Sequence, residues 1–360
     1  MWRKLAERLP CGEAGVLAAG ALTRDHPAVQ ILLLLGSEVI GLLYFTAILL
    51  LVGATAFHFL IWSRTALPIG PVRNATEEQM DALVVRWGTW SAAAYLLLTI
   101  PRAMGVASLL SDRFPLGSRL SALILRSEWG VGFAAAIVAG VLAWTGYLLV
   151  GKRRPIGWWL VLLSVPVLAA GAGLQGHPFD AFSTLTLAPI FDGLHAVVVG
   201  GWLGSFFYLV LAERRLQAHT ASPWTDPLGA MIERYFRVSG PLGTAVLLTG
   251  LFSSSTHLTG FDDIQGSPYG RLLAGKVAIV AILFAFHEYH RRHAERQART
   301  GERAQLVHTM RFQAGLIALV LALTALLADT TPPGVNEVRS EVFRSAPRGA
   351  ADSRDVELPR

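Results

Sequence analysis

The chain contains about eight separate runs of roughly 20 predominantly apolar residues, joined by short polar connections, and no other feature limits its fold so strongly. About 20 apolar residues is the helix length that crosses the hydrocarbon of a bilayer, where every backbone N–H and C=O must find its partner within the segment. Composition agrees, with 53% hydrophobic and only 16% charged residues. The expected fold is therefore an all-α, polytopic transmembrane helical bundle. Its spans fall at about 29–62, 87–110, 129–150, 157–174, 189–212, 236–257, 271–291 and 312–329. The first run exceeds one crossing and implies a tilted or interfacial start.

In a soluble protein a net charge of +6 would suggest a nucleic-acid partner. Here the basic residues gather in alternate connections: Arg64, Arg73 and Arg86 after span one, Lys152 to Arg154 after span three, Arg214, Arg215 and Arg234 after span five, and Arg292 to Arg311 after span seven. That pattern is a topology signal, so the expected partner is the lipid bilayer and not nucleic acid. It assigns those loops to the cytoplasm and, with an even number of spans, both termini to the outside. Arg3, Lys4 and Arg8, and the Arg113, Arg119, Arg126 loop, pull the other way. Cys11 is the single cysteine, which excludes an internal disulfide framework and any multi-cysteine metal site within one chain. Residues 1–28 form a polar N-terminal segment without the apolar core of a cleavable leader, 29–174 a four-span half, 175–333 a second four-span half, and 334–360 a polar, disordered tail. No nucleotide-hydrolysis motif is present, so the chain is not read as an enzyme and any work it does draws on a gradient or a partner.

Ionisable residues inside such runs are costly and mark pathways or ligand sites. Asp192 and His195, three apart in span five, share a helix face and can converge on one ion. His177 in the preceding loop and His257 at the end of span six fall on the same side, and imidazole with carboxylate suits copper, zinc, iron or nickel. The competing structural reading makes the histidines interfacial and Asp192 a partner of the helix dipole. Lys276 in span seven either pairs with Asp192 or snorkels to the surface as a structural lysine, and Glu38 of span one is placed to pair with Arg102 of span two. His287, His290 and His293 recur every three residues near the end of span seven beside Glu288, Arg291 and Arg292. In that charged setting a solvated helix end is the favoured reading, and a cytoplasmic-end metal site at His287 and His290 the sharper alternative.

The order DGLHAVVVGGWLG from Asp192, YFRVSGPLGTAVLLTG from Tyr235, SPYGRLLAGKVAIV from Ser267, and a last span closing at Thr331, Pro332 and Pro333 resembles the CopD copper-resistance family of bacterial inner-membrane proteins over roughly 189–333. The resemblance implies a copper permease or importer that works with a separate periplasmic copper-binding protein of the CopC type, and an extracytoplasmic N-terminus. Copper is then the expected ion at His177, Asp192, His195 and His257. Gln313 stands where a glutamate is expected. Two other functions remain open at this level: a membrane redox protein with haem held by histidines of facing spans, such as His195 and His257 or His58 and His287, and an assembly factor that delivers copper to an oxidase.

Overall fold

The computed structural model describes residues 27–65, 71–111, 128–175, 187–216, 227–258, 260, 262–300 and 303–330. His177, the N-terminal segment before residue 27 and the tail beyond residue 330 lie outside the described residues. The described chain is helical, with no strand. Its helices are α1 (Pro27–Ala56), α2 (Pro71–Ser111), α3 (Glu128–Gly151), α4 (Ile156–Gln175), α5 (Ala188–Val199), α6 (Ser205–Leu216), α7 (Pro227–His257), the short α8 (Asp262–Gly266), α9 (Pro268–Thr300) and α10 (Arg303–Asp329). A π-turn, Phe57–Ile61, continues α1, and another, Gly200–Gly204, joins α5 to α6 into one span.

Seven helical segments are long and apolar enough to cross a membrane, among them Glu38–Arg64, Ala188–Leu216 and Pro268–Arg292. The eighth expected span is present as α7, 31 residues long, but it is not among those seven. Its middle is diluted by glycine, serine and threonine and broken by Pro241, and those residues let neighbours approach it closely. Proline opens α1, α2, α7 and α9, where the missing N–H has no intrahelical partner to lose. Several helices also extend past the expected spans. α2 begins at Pro71 and α7 at Pro227, so both carry polar stems beyond the hydrocarbon.

Hydroxyls within the helices mostly donate to the carbonyl one turn back, as Thr46 does to Leu42 O at 2.7 Å and Thr324 to Val320 O at 2.8 Å. That satisfies them where no water is available. The first span and the α5–α6 span are the most buried, and the span in α9 the least. The two central spans meet at glycine: a Cβ added at Gly53 would lie 2.5 Å from the Gly204 carbonyl carbon. Gly193 packs against Ala169 of α4, and Gly200 against Val52 of α1. The glycine stripe of span five therefore serves close packing within the subunit, as small residues do between membrane helices.

Candidate functional site

Two polar stations lie along the seam where the α5–α6 span, α7 and α9 pack together. The first is built on Asp192 and His195 of α5. His195 Nδ1 lies 2.9 Å from Thr249 Oγ1 of α7. Thr249 spends its own proton on Ala245 O at 2.6 Å, so it accepts from the ring, and His195 Nδ1 carries the hydrogen. The lone pair then sits on Nε2, the arrangement in which a second-shell acceptor orients a metal-binding imidazole. Gly250 allows this, since a Cβ there would come 3.0 Å from His195 Cε1. Phe191 and Phe252 stack at 4.0 Å and clamp α5 to α7 one turn further along.

α9 supplies the remaining charge. Lys276 interacts electrostatically with both Asp192 and His195, and Tyr269 with Asp192. Opposite charges near one another offset part of the cost each has in a poorly solvated place. Asp192 and His195 share α5, and Lys276 of α9 lies within electrostatic range of both. His257 ends α7, but its side chain, like His177, lies outside the described residues. Among the described residues no three of His, Cys, Asp and Glu converge as a complete metal cage.

The second station lies further along the same helices. His287 Nε2 is 2.9 Å from Ser239 Oγ of α7, and Ser239 in turn reaches Phe236 O at 3.2 Å. This repeats the first station's logic and leaves His287 Nδ1 as the acceptor nitrogen. Trp202, Tyr235 and Phe236 surround the ring at centroid distances of 6.1, 5.8 and 5.2 Å. His290, one turn on, is 1% exposed and His287 8%. The expectation of a solvated helix end at His287 and His290 is thus corrected. The helix carries its charges on the opposite face, where Glu288 binds Arg291 and Arg292 at 2.7 Å each, while the two imidazoles turn inward. A three-residue period places side chains on one face but does not say which way that face points.

Between the stations the seam is apolar. Trp202, two turns beyond His195, packs on Phe284 of α9 at 4.5 Å. Gly243 of α7 closes the third side, because a Cβ there would strike the Phe284 ring at 2.7 Å. Thr249 and Ser239 are ten residues apart on one helix, which separates the stations by about 15 Å.

The other expected pair is elsewhere. Arg102 of α2 lies beside Gly41 of α1, three positions from Glu38, and its guanidinium stands 6.0 Å from the Phe45 ring. Glu213 of α6, 1% exposed, faces Arg311 of α10 at 3.8 Å. Gln313, next along α10, is 5% exposed. Sequence reasoning missed Thr249, Ser239 and Trp202. A threonine or serine that bonds to its own helix looks like any other hydroxyl in an apolar span, and a span tryptophan like an interfacial one.

Residues 229–327 match the family model described as Copper resistance protein D. The match covers α7, α9 and almost all of α10, and stops short of Asp192 and His195, so it is narrower than the 189–333 expected from the motifs. Comparisons with curated proteins and with solved structures returned no match. Residues 229–327 are thus similar to the Copper resistance protein D family, within a chain whose described residues include seven helices long and apolar enough to cross a membrane.

Proposed function

From this CopD-family region we propose that the chain is a copper permease of the bacterial inner membrane, with the α5/α7/α9 seam as its path. The observation that carries the reading is the repeated arrangement in that seam. Two imidazoles, the half-buried His195 and the buried His287, each donate to an α7 hydroxyl and leave the other ring nitrogen as an acceptor for a soft or borderline cation. With the basic loops in the cytoplasm, His195 is the outer station and His287 with His290 the inner one. His177 and His257 complete the outer coordination shell, and a periplasmic protein of the CopC type is the natural donor. Asp192 supplies the compensating charge. Copper entering the outer station takes the place of the Lys276 ammonium beside Asp192, then passes the Trp202–Phe284 constriction to reach the inner imidazoles. Glu38 and Arg102 lie outside this path and hold α1 to α2.

The haem alternative needs two imidazoles facing each other across open space. His58 instead stacks on Trp158 at 3.6 Å, and His287 is boxed by aromatic rings. The copper-delivery alternative shares the same stations and differs in whether the isolated chain moves the ion.

The test is copper loading of the detergent-purified chain, followed by uptake into proteoliposomes. Wild type binds copper, and His195→Ala and His287→Ala each lose part of it. Both variants lower uptake at least tenfold with normal folding. Full copper binding in His195→Ala sinks the outer station. Binding without uptake leaves the delivery reading, and a Soret absorbance without copper the redox one.

A further inference from the structure

The hairpin of α3 and α4 carries three consecutive cations, Lys152, Arg153 and Arg154, and from Trp129 to Gln175 it has no acidic residue. Its two helices are locked together at glycine, since a Cβ added at Gly157 would lie 2.5 Å from Gly146 O. The turn closes α3 with two backbone bonds, Arg154 N to Leu149 O at 2.9 Å and Arg153 N to Val150 O at 2.8 Å. That pairing puts residue 153 in the left-handed region, with φ 58°. Glycine is the usual occupant, because a side chain there crowds its own backbone. Among the described residues Arg153 alone takes a positive φ without being glycine. A guanidinium kept where glycine would be easier points to a functional position.

The cations stand at the end of an apolar track. Val131, Val138, Val141, Trp144 and Leu148 of α3 are all exposed and share one outward face, and Lys152 follows Leu148 by one more turn. Beside them α4 exposes Ile156 and Trp159 in its first turns. Tryptophan at a span end sits at the level of lipid headgroups. Other cations of the described chain are neutralised within it: Glu77 binds Arg73, Glu233 binds Arg237, and Glu288 binds Arg291 and Arg292. Where α2 packs beside the turn, with Val85 Cγ1 3.2 Å from a Cβ on Gly151, its Asp81 accepts from the Trp62 indole. Lys152, Arg153 and Arg154 are exposed and form no ion pair with the described residues.

We propose that the α3–α4 turn binds the phosphodiester headgroup of an anionic phospholipid, with the acyl chains lying along the exposed face of α3. The two guanidiniums donate to phosphate oxygens and the Lys152 ammonium adds charge. A soluble anion would use the cations and not the track, and a neutral lipid the track and not the cations. A topology signal needs charge in this connection, not a charged side chain at a left-handed position. The site lies outside the CopD match and stands apart from the copper reading.

Native mass spectrometry of the detergent-purified full chain, titrated with phosphatidylglycerol or with phosphatidylcholine of the same acyl chains, tests it. Wild type is expected to hold phosphatidylglycerol at least fivefold more tightly than phosphatidylcholine. Arg153→Gly loses about fivefold in phosphatidylglycerol affinity, the effect of one cation at an anionic surface. It relieves the backbone, so misfolding does not obscure the result. Arg291→Gln, whose guanidinium is already bound by Glu288, leaves the affinity unchanged. Equal retention of the two lipids, or undiminished retention by Arg153→Gly, overturns the proposal. An equal loss in Arg291→Gln also overturns it, by making the attraction one of net charge. So does complete displacement of phosphatidylglycerol by inorganic phosphate, which would make the ligand a soluble anion.

Discussion

Lys276 shows how much one residue can set in this seam. Its ammonium acts on both Asp192 and His195, so replacing it alone strands a carboxylate in a poorly solvated place. Lys276→Met is expected to destabilise the protein by about 1–3 kcal/mol, and Asp192→Asn with Lys276→Met to recover most of that loss. Thermal unfolding of the two singles and the double measures the coupling, and additive losses would remove the pair. At this scale the sequence is legible where the signal is cost: Asp192, His195 and Lys276 stand out because charge in lipid is expensive. It is silent on Thr249, whose bond to His195 spans 54 positions and sets the imidazole tautomer.

Helices and turns add a second layer. The turn from α3 to α4 places Arg153 at φ 58°, where a side chain is strained and glycine is not. Arg153→Gly is therefore expected to stabilise the protein by about 1 kcal/mol in a denaturation series, although it removes one charge from the Lys152–Arg154 cluster. The Gly53–Gly204 contact works in the opposite sense. Gly204→Val drives a side chain into α1 backbone, and a loss of about 3 kcal/mol or failure to fold is expected, read by thermal unfolding or by expression of a monodisperse species. Apolar run length located the membrane part of these elements but not their polar extensions, such as the stem of α2 from Pro71 or the end of α9 at Thr300. It did not foresee the π-turns at Phe57–Ile61 and Gly200–Gly204, each of which turns the rest of its span about the helix axis. A π-turn leaves no mark on the hydropathy by which a span is recognised. Arg234 Nε donates to Leu60 O at 2.9 Å, giving the first π-turn a carbonyl partner from α7.

Across the molecule, the α5–α6 span, α7 and α9 carry the polar stations, and Trp202 with Phe284 divides one from the other. If the seam is the path, Trp202→Ala widens its narrowest point and copper flux into proteoliposomes should rise severalfold with both stations intact. An unchanged flux would assign Trp202 to packing alone. The all-α polytopic class follows from the sequence by itself, because bilayer thickness and the need to satisfy every backbone polar group allow nothing else for this hydropathy pattern. The sequence also determined which residues were too expensive to be accidental. Only the tertiary structure decided that His287 and His290 face inward and that α7 hydroxyls orient the imidazoles. Those facts depend on the rotation of one helix against another, and that rotation is set by glycine contacts and π-turns far apart in the chain.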